Sequence, residues 1–516
     1  MKIKNILFTS LLVSSLGFNA HAQTTDDALN FSQELNGGTA RMKGLGNAKT
    51  ALGGDISSIT GNPAGLGFFG QSDISITANY NNARNRGDYF GSSVSRNKGR
   101  FGIDHAGVVF HFPKNEGYHG WQNFNVGFSY ENTNTFNNNV RYEGINPDNT
   151  IVSAYSDDIE AGRARWGSFA NDMIGMRLLE EFSTGGFFPI TNETGEKRQV
   201  SDILTTGFNS RSALAFGGNY NNKLYIGGTI GFTAFRYETS SQFSEYGWTK
   251  TAGDVAQDNP NSTFLDPTHQ NNGYLNKSYD LLDDYYQISE GSGFDFKIGA
   301  IYKPTLDWNI GATITSPTWL AIDDYYDNYI GVSYYQDGNA STAFAEHDVT
   351  YAPSSYTYMQ ITPWKFSLGA SKFFGRGLIT ADAEYIDYST VKRRVIGANN
   401  PSLENEWDAL VKESYQSVVN FRVGGEFLFT NAISGRAGFN YFGNPYQGAD
   451  NTQYSGSLGL GFKLSNTLYL DLAVVHLVND YSVTPYTVDE FWNTPTPMAN
   501  IKHQRTNAVL TFGAKF

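Results

Sequence analysis

Apolar and polar residues alternate along most of this chain beyond residue 72. Phe294, Phe296, Ile298, Ala300 and Tyr302 share one parity, with Asp295 and Lys297 between them. Trp308, Ile310, Ala312 and Ile314 continue the pattern, and Phe421, Val423, Phe427 and Phe429 repeat it against Arg422 and Glu426. A period of two means a strand with one greasy and one polar face. Such segments fall at 73–82, 101–113, 122–132, 210–221, 223–237, 291–303, 306–316, 362–374, 376–387, 417–430, 432–443, 453–464, 466–477 and 505–516, about fourteen in all. Each runs about 10–13 residues, enough to cross a bilayer at a tilt.

The connections alternate too. Asn221-Asn222, Lys303–Thr305, Gly375, Asn431 and Ser465 mark tight turns. Between those hairpins lie long polar connections at 83–100, 133–209, 238–290, 317–361, 388–416 and 478–504. Short turns at one end and long loops at the other predict an all-β fold, a transmembrane antiparallel barrel of about 14 strands with long extracellular loops. An even count places both termini on the periplasmic side. Within the longest connection, Met173–Phe182 is predicted as a short amphipathic helix carrying Ile174, Leu178 and Phe182 on one face.

Composition supports a barrel over a soluble sheet. The mean hydropathy of −0.39 is polar, yet 37 Phe, 32 Tyr and 55 Gly are present. Only half of each barrel strand meets lipid, and aromatics crowd the two interfaces, so such a chain stays polar on average. The net charge of −13 excludes a nucleic-acid partner held by a basic face and fits acidic loops such as Asp280–Asp284 and Asp323–Asp327.

The first 72 residues follow different rules. Lys2 and Lys4 precede an apolar run, Ile6–Leu16, and an A-x-A site at Ala20-His21-Ala22. This predicts a signal peptide over 1–22, with the mature chain starting at Gln23. The absence of Cys agrees with an envelope protein that does without disulfides. Residues 23–72 are not strand-like. They contain GTARMKGLGNAKTALGGDISSITGNPAGLGFFG, with a turn at Asn62-Pro63-Ala64-Gly65. A glycine-rich segment of this length ahead of the first strand suits a hatch folded inside the lumen, leaving 73–516 for the barrel.

Two stretches carry family resemblances. The last strand, with Thr506, Ala508, Leu510, Phe512, Ala514 and Phe516 on one parity, resembles the C-terminal signal that outer-membrane barrels show to their assembly machinery. The form ALGGDISSITGNPAGL resembles the hatch of the FadL/TodX-type outer-membrane transport proteins, with Ala51, Gly53, Asp55, Asn62, Pro63 and Ala64 in the family's places. It is similar to the Bacteroidetes branch often labelled hemin receptor. The resemblance implies a monomeric channel in a Gram-negative outer membrane, in contact with its lipids and lipopolysaccharide. It would admit long-chain fatty acids or aromatic hydrocarbons, hold them in an apolar pocket and release them sideways. Asp55, Asn62, Pro63, Ala64 and Gly65 would gate it. An acyl carboxylate would need a buried cation, and Arg211, Lys297, Arg422 and Arg436 lie on polar parities. The same side chains are suited to pairing with Asp295 or Glu426 in a polar lumen.

Other chemistry is weakly marked. The chain has no G-x-S-x-G and no H-E-x-x-H, so no enzyme is expected. His105 and His111 stand six apart in one strand, wide for shared ligation, and no metal or cofactor is expected. The alternative is a FadL-like barrel that binds protein through its outer loops, as a PorV-like component of a secretion system.

Overall fold

A computed structural model describes residues 25–34, 37–114, 119–163, 167–183, 185–338, 341–397, 400–489 and 494–516. The expected signal peptide, 1–22, lies outside the described residues.

The strands begin with β1 Asp73–Tyr89, β2 Ser92–Pro113, β3 Trp121–Asn134, β4 Asn138–Asn146, β5 Leu179–Glu181 and β6 Phe187–Pro189. They continue with β7 Lys197–Tyr220, β8 Leu224–Trp248, β9 Ser278–Thr305, β10 Trp308–Thr315, β11 Trp319–Tyr335, β12 Ala345–Ile361 and β13 Lys365–Phe374. The last are β14 Gly377–Asp387, β15 Lys392–Val395, β16 Ser417–Leu428, β17 Ile433–Phe442, β18 Gln453–Lys463, β19 Leu468–Val483 and β20 Ala499–Lys515.

Fourteen of them close an antiparallel barrel among the described residues: β1, β2, β3, β7, β8, β9, β10, β13, β14, β16, β17, β18, β19 and β20. The circuit ends where β20 pairs with β1, from Asp73 opposite Lys515 to Asp88 opposite Asn500. Closure pairs each of the fourteen strands with a neighbour on both sides over part of its length, as a hydrocarbon solvent demands. The outer face is the apolar parity: Phe294 is 44% and Ile298 61% exposed, while Asp295 between them is 1% exposed. Aromatic pairs sit at both rims of this band, Trp121 with Tyr220 at the turn end and Phe294 with Trp319 at the loop end.

Two expectations are corrected. The ladders run far past the apolar band, so much of 83–100, 238–290 and 317–361 is strand rather than loop. β1 and β2 stay paired up to a tight turn at Phe90-Gly91. β9 pairs with β10 near the turn end and with β11 above it, the break between them falling at Pro317, which cannot donate to a ladder. The helix predicted at 173–182 lies earlier. After α1 Thr25–Asn30, α2 Ala40–Gly44 and α3 Ile151–Glu160, helix α4 spans Phe169–Gly175. Arg177 at φ 64° turns the chain out of the helix, and Leu179 opens β5 instead.

Above the apolar band, α3 and α4 pack on the extended walls. Ile151, Met173, Leu178, Leu281, Val332 and Tyr486 share one buried cluster there.

Candidate functional site

The hatch is built from caps. Thr39 caps α2 and donates its hydroxyl to both Asp55 oxygens at 3.0 Å. Asp55 in turn caps the short helix Ile56–Ile59, accepting from the Ser57 N–H at 2.9 Å. Asn62 caps Pro63–Phe68, accepting from the Ala64 N–H at 3.1 Å. Its amide donates to the Thr50 carbonyl at 2.6 Å and to the Ala300 carbonyl of β9 at 3.2 Å. Pro63 takes the first helical position, where its missing N–H costs nothing. Ala64 and Gly65 are buried, and a Cβ at Gly65 would strike the Ser58 side chain.

The wall grips this segment from several sides. Thr511 of β20 accepts from the Ala40 N–H at 2.8 Å, Thr229 of β8 donates to the Ile59 carbonyl at 2.7 Å, and Asn309 of β10 donates to the Ala51 carbonyl at 3.0 Å. Gly227 of β8 and Gly424 of β16 face the hatch backbone so closely that any side chain would collide with Pro63 or Leu45. The hatch therefore fills the lumen at the level of the apolar band.

Charge inside the barrel is largely matched. Arg211 bonds Asp295, both 2% exposed. Lys297 donates to the Thr60 carbonyl of the hatch. Arg422 meets Glu384 at 2.7 Å, and Arg436 lies between Glu426 and Asp471 at 2.5 Å from each. Three of these four sequence-predicted cations thus hold carboxylates of the wall, and the fourth holds the hatch. His105 is fully buried beside the Lys49–Glu131 pair, and the His111 ring bonds Asn125 at 2.8 Å. Among the described residues no cluster of three or more His, Cys, Asp or Glu could hold a metal ion.

Beside the hatch lies a luminal cavity of about 120 Å³. This cavity is polar. Glu34, Lys43, Lys49, Glu131, Lys365, Glu384, Arg422, Arg505 and Asn507 are among the residues that line this cavity, with Ile386, Tyr388, Phe442, Val475 and Leu477 adding apolar and aromatic surface. A site for a small organic ligand needs roughly 300–1,000 Å³. This cavity is smaller than that.

The wall is interrupted between β2 and β7, at a place that the sequence did not reveal. β3 pairs with β2 only from His105–Glu131 downward. After Asn134 the chain leaves the wall, and β4 continues along β7 while stacking on the inner side of β1. Backbone of Arg141 and Tyr89 lies where side chains of Gly87 and Gly144 would be. The β2 edge from Ser92 to Asp104 is left without a ladder partner on that side. Both parities of Gly99–Ile103 are exposed there. Only side chains bridge this seam in the described contacts: Lys98 donates to the Thr205 carbonyl at 3.4 Å and Arg100 to the Gly207 carbonyl at 3.1 Å. Asn137, at the break between β3 and β4, donates to the Lys98 carbonyl at 3.2 Å. Lys98 and Arg100 escaped notice because 83–100 reads as loop. Arg505 carries the same polar-parity signal as the four predicted cations.

No family model matches the sequence, and no curated protein does. Solved structures match its fold. A Pseudomonas aeruginosa FadL homologue is 15% identical, with 93% of this chain and 99% of that chain covered at a TM-score of 0.51. A TodX monoaromatic hydrocarbon channel, the deltaS2 mutant, is 14% identical, with 93% and 98% covered and a TM-score of 0.51. The fold is that of a FadL-type barrel. In this barrel, hatch, polar cavity and wall seam adjoin one another. Glu131 and Thr133, at the top of β3 below the break, also line the cavity.

Proposed function

We propose that this chain is an outer-membrane channel for uptake of hydrophobic small molecules, closed by its N-terminal hatch and emptied sideways through the seam between β2 and β7. The observation that carries this reading is the seam itself. Only the lower end of this edge, at Phe101 and Ile103, is level with the apolar band, and there a closed barrel has no reason to leave it unpaired, because each unsatisfied backbone group is costly beside lipid. An exit for solute gives it one. A solute that leaves sideways enters hydrocarbon directly and gains about 25 cal/mol per Å² of apolar surface removed from water. The apolar outer belt supports membrane insertion, with the long-loop end outward and the turns in the periplasm. In this scheme 1–22 is removed on export, 23–72 gates and 73–516 spans. Leu510, Phe512 and Phe516, all exposed on the outer face, present the assembly signal. Candidate solutes are long-chain fatty acids and the monoaromatic hydrocarbons named for the TodX channel.

The test is uptake of radiolabelled oleate and toluene by cells lacking their own transporter. The protein carries Ile103→Cys and Phe208→Cys, which face outward on opposite rims of the seam. The native chain has no Cys, so bismaleimides of graded length staple this pair alone. Uptake by the unlinked barrel that stops when the seam is stapled supports the reading. Unchanged uptake removes lateral release. No uptake by a well-assembled wild-type barrel removes transport of these solutes and moves the weight to protein binding by the outer loops.

A further inference from the structure

His105 of β2 is fully buried on the inner wall, and neither nitrogen of its ring has a hydrogen-bond partner. Buried polar groups in folded proteins are almost always satisfied, so an imidazole left this way calls for a second state in which it is met. The ladders place Thr77 of β1 opposite it on one side and Glu131 of β3 opposite it on the other. The hatch covers this stretch of wall. Ile56 presses so closely on Gly107, two residues further along β2, that a Cβ there would strike it. Gly37 is pressed in the same way against the Glu131 carboxylate.

The charges around the ring come from wall and hatch alike. On the wall, β2 itself offers Asp104 and β3 offers Glu131. β1 and β20 turn the hydroxyls of Thr77 and Thr511 inward, bonded to each other at 2.7 Å. Arg211 of β7, opposite Glu131, is taken by Asp295 of β9. From the hatch, Lys43 pairs with Asp104, and Lys49 reaches Glu131 at 3.7 Å. Asp55 is the third acid near the ring, already holding the Thr39 hydroxyl and the Ser57 N–H. Glu34, held by Lys365 at 2.9 Å, stands beyond Glu131. The two wall acids beside His105 are thus the same two that the hatch lysines hold.

Imidazole is the side chain whose ordinary charge change falls between about pH 5 and 8. A proton on His105 with the hatch in place adds a third cation to a buried site whose two wall acids already have lysine partners. With the hatch withdrawn, Lys43, Lys49 and Asp55 leave together and water enters. The imidazolium then meets Asp104 and Glu131 alone. The withdrawn state takes up this proton more readily, and the state that binds a proton better gains population as pH falls. We propose that His105 is an acid-sensitive latch on the hatch. Neutral, it lets Lys43 and Lys49 hold the hatch to the wall; protonated, it takes Asp104 and Glu131 from them and frees it. The latch rests on the hatch filling the lumen and on no particular solute, so it stands or falls apart from the channel reading.

The test is amide hydrogen exchange in the full-length barrel, refolded in a neutral detergent. Rates are expressed as protection relative to the unfolded chain at each pH, which removes the pH dependence of the exchange chemistry itself. Assembly of each variant is checked by its heat-dependent mobility in gels. In wild type, protection across 39–61 falls at least about tenfold between about pH 8 and about pH 5, while the ladder between β16 and β17 stays protected. His105→Gln, neutral throughout, keeps the hatch protected at both ends of this range. His105→Lys, a fixed cation, lowers protection at the higher pH to the wild-type value at the lower one. A flat wild-type profile overturns the latch, whether or not the variants assemble. A rise in protection on acidification overturns it too. A fall that persists in His105→Gln belongs to the carboxylates and removes His105 from the device. Acid release of the hatch in a barrel that carries neither oleate nor toluene keeps the latch and removes the channel.

Discussion

Lys43 of the hatch and Asp104 of the barrel wall form an ion pair in which the side chains are 3% and 1% exposed. Asp104 reaches inward because β2 bulges there: Thr77 faces His105, Ala78 faces Ile103, and Asp104 is the extra residue. The bulge thus aims an acid at the one hatch helix that carries Lys43. Removing one partner leaves the other buried and unpaired, at a cost of about 3–5 kcal/mol. Asp104→Ala is expected to raise amide exchange across 39–46 by orders of magnitude while the wall ladders stay protected. Pairing it with Lys43→Met recovers most of the protection. Exchange equal to wild type in Asp104→Ala shows that the pair does not hold the hatch.

Asn62 is the second tie. Its side chain caps one hatch helix and also reaches the Thr50 and Ala300 carbonyls. Loss of a cap costs about 0.5–2 kcal/mol, and unmet buried partners add about 1–3 kcal/mol. Asn62→Ala is therefore expected to loosen 50–68 by a few kcal/mol in exchange experiments, and Asn62→Asp to restore the cap but not the two donations. A variant with the wild-type exchange rate at Ala64 and Gly65 contradicts this role.

Parity was legible wherever one face meets hydrocarbon, as Phe294, Phe296 and Ile298 show. It failed above the band. Asn82, Arg84 and Arg86 lie on the outer parity of β1 and are polar, so alternation disappears while the ladder to β2 continues. The hatch could be read because glycine and N-P-A-G punctuate it. That the luminal cations pair with Asp295 or Glu426 could be read as well, but which cation takes which acid could not, since Arg211 and Asp295 stand 84 residues apart in sequence. The seam was hidden for the same reason: Thr135, Phe136 and Asn137 carry no breaker, and only the register of β2 against β3 shows that the wall ends there.

Met173 anchors the loop-end cluster. It is fully buried among side chains of α3, α4 and the extended walls. Truncation leaves a cavity worth about 2–5 kcal/mol. Because this cluster stands above the apolar band, Met173→Ala is expected to speed proteolytic cleavage in 161–190 at least tenfold without lowering the barrel's heat-dependent gel shift. If both change together, the loop-end cluster and the barrel unfold as one unit.

The seam is where a small change should have a local effect. Its bridging contacts include two side-chain bonds to carbonyls of β7, from Lys98 and Arg100, beside the Asn137 bond to the Lys98 carbonyl, and partly exposed bonds of this kind contribute only about 0.5–1.5 kcal/mol each. A strand ladder of the same length would hold far more firmly. Replacing both with Ala should therefore leave overall stability within about 3 kcal/mol while freeing the β2 edge. A single thiol at Gly102→Cys, in this otherwise Cys-free chain, reads that freedom through reaction with a charged maleimide. The double variant is expected to react severalfold faster there and at an unchanged rate at Gly253→Cys, which sits exposed at the loop end. Equal rates at Gly102→Cys with and without Lys98 and Arg100 mean that the Asn137 bond to the Lys98 carbonyl and β4, held against β1 by Asn85 and its bonds to Asn138 and Asn139, set the width of the seam.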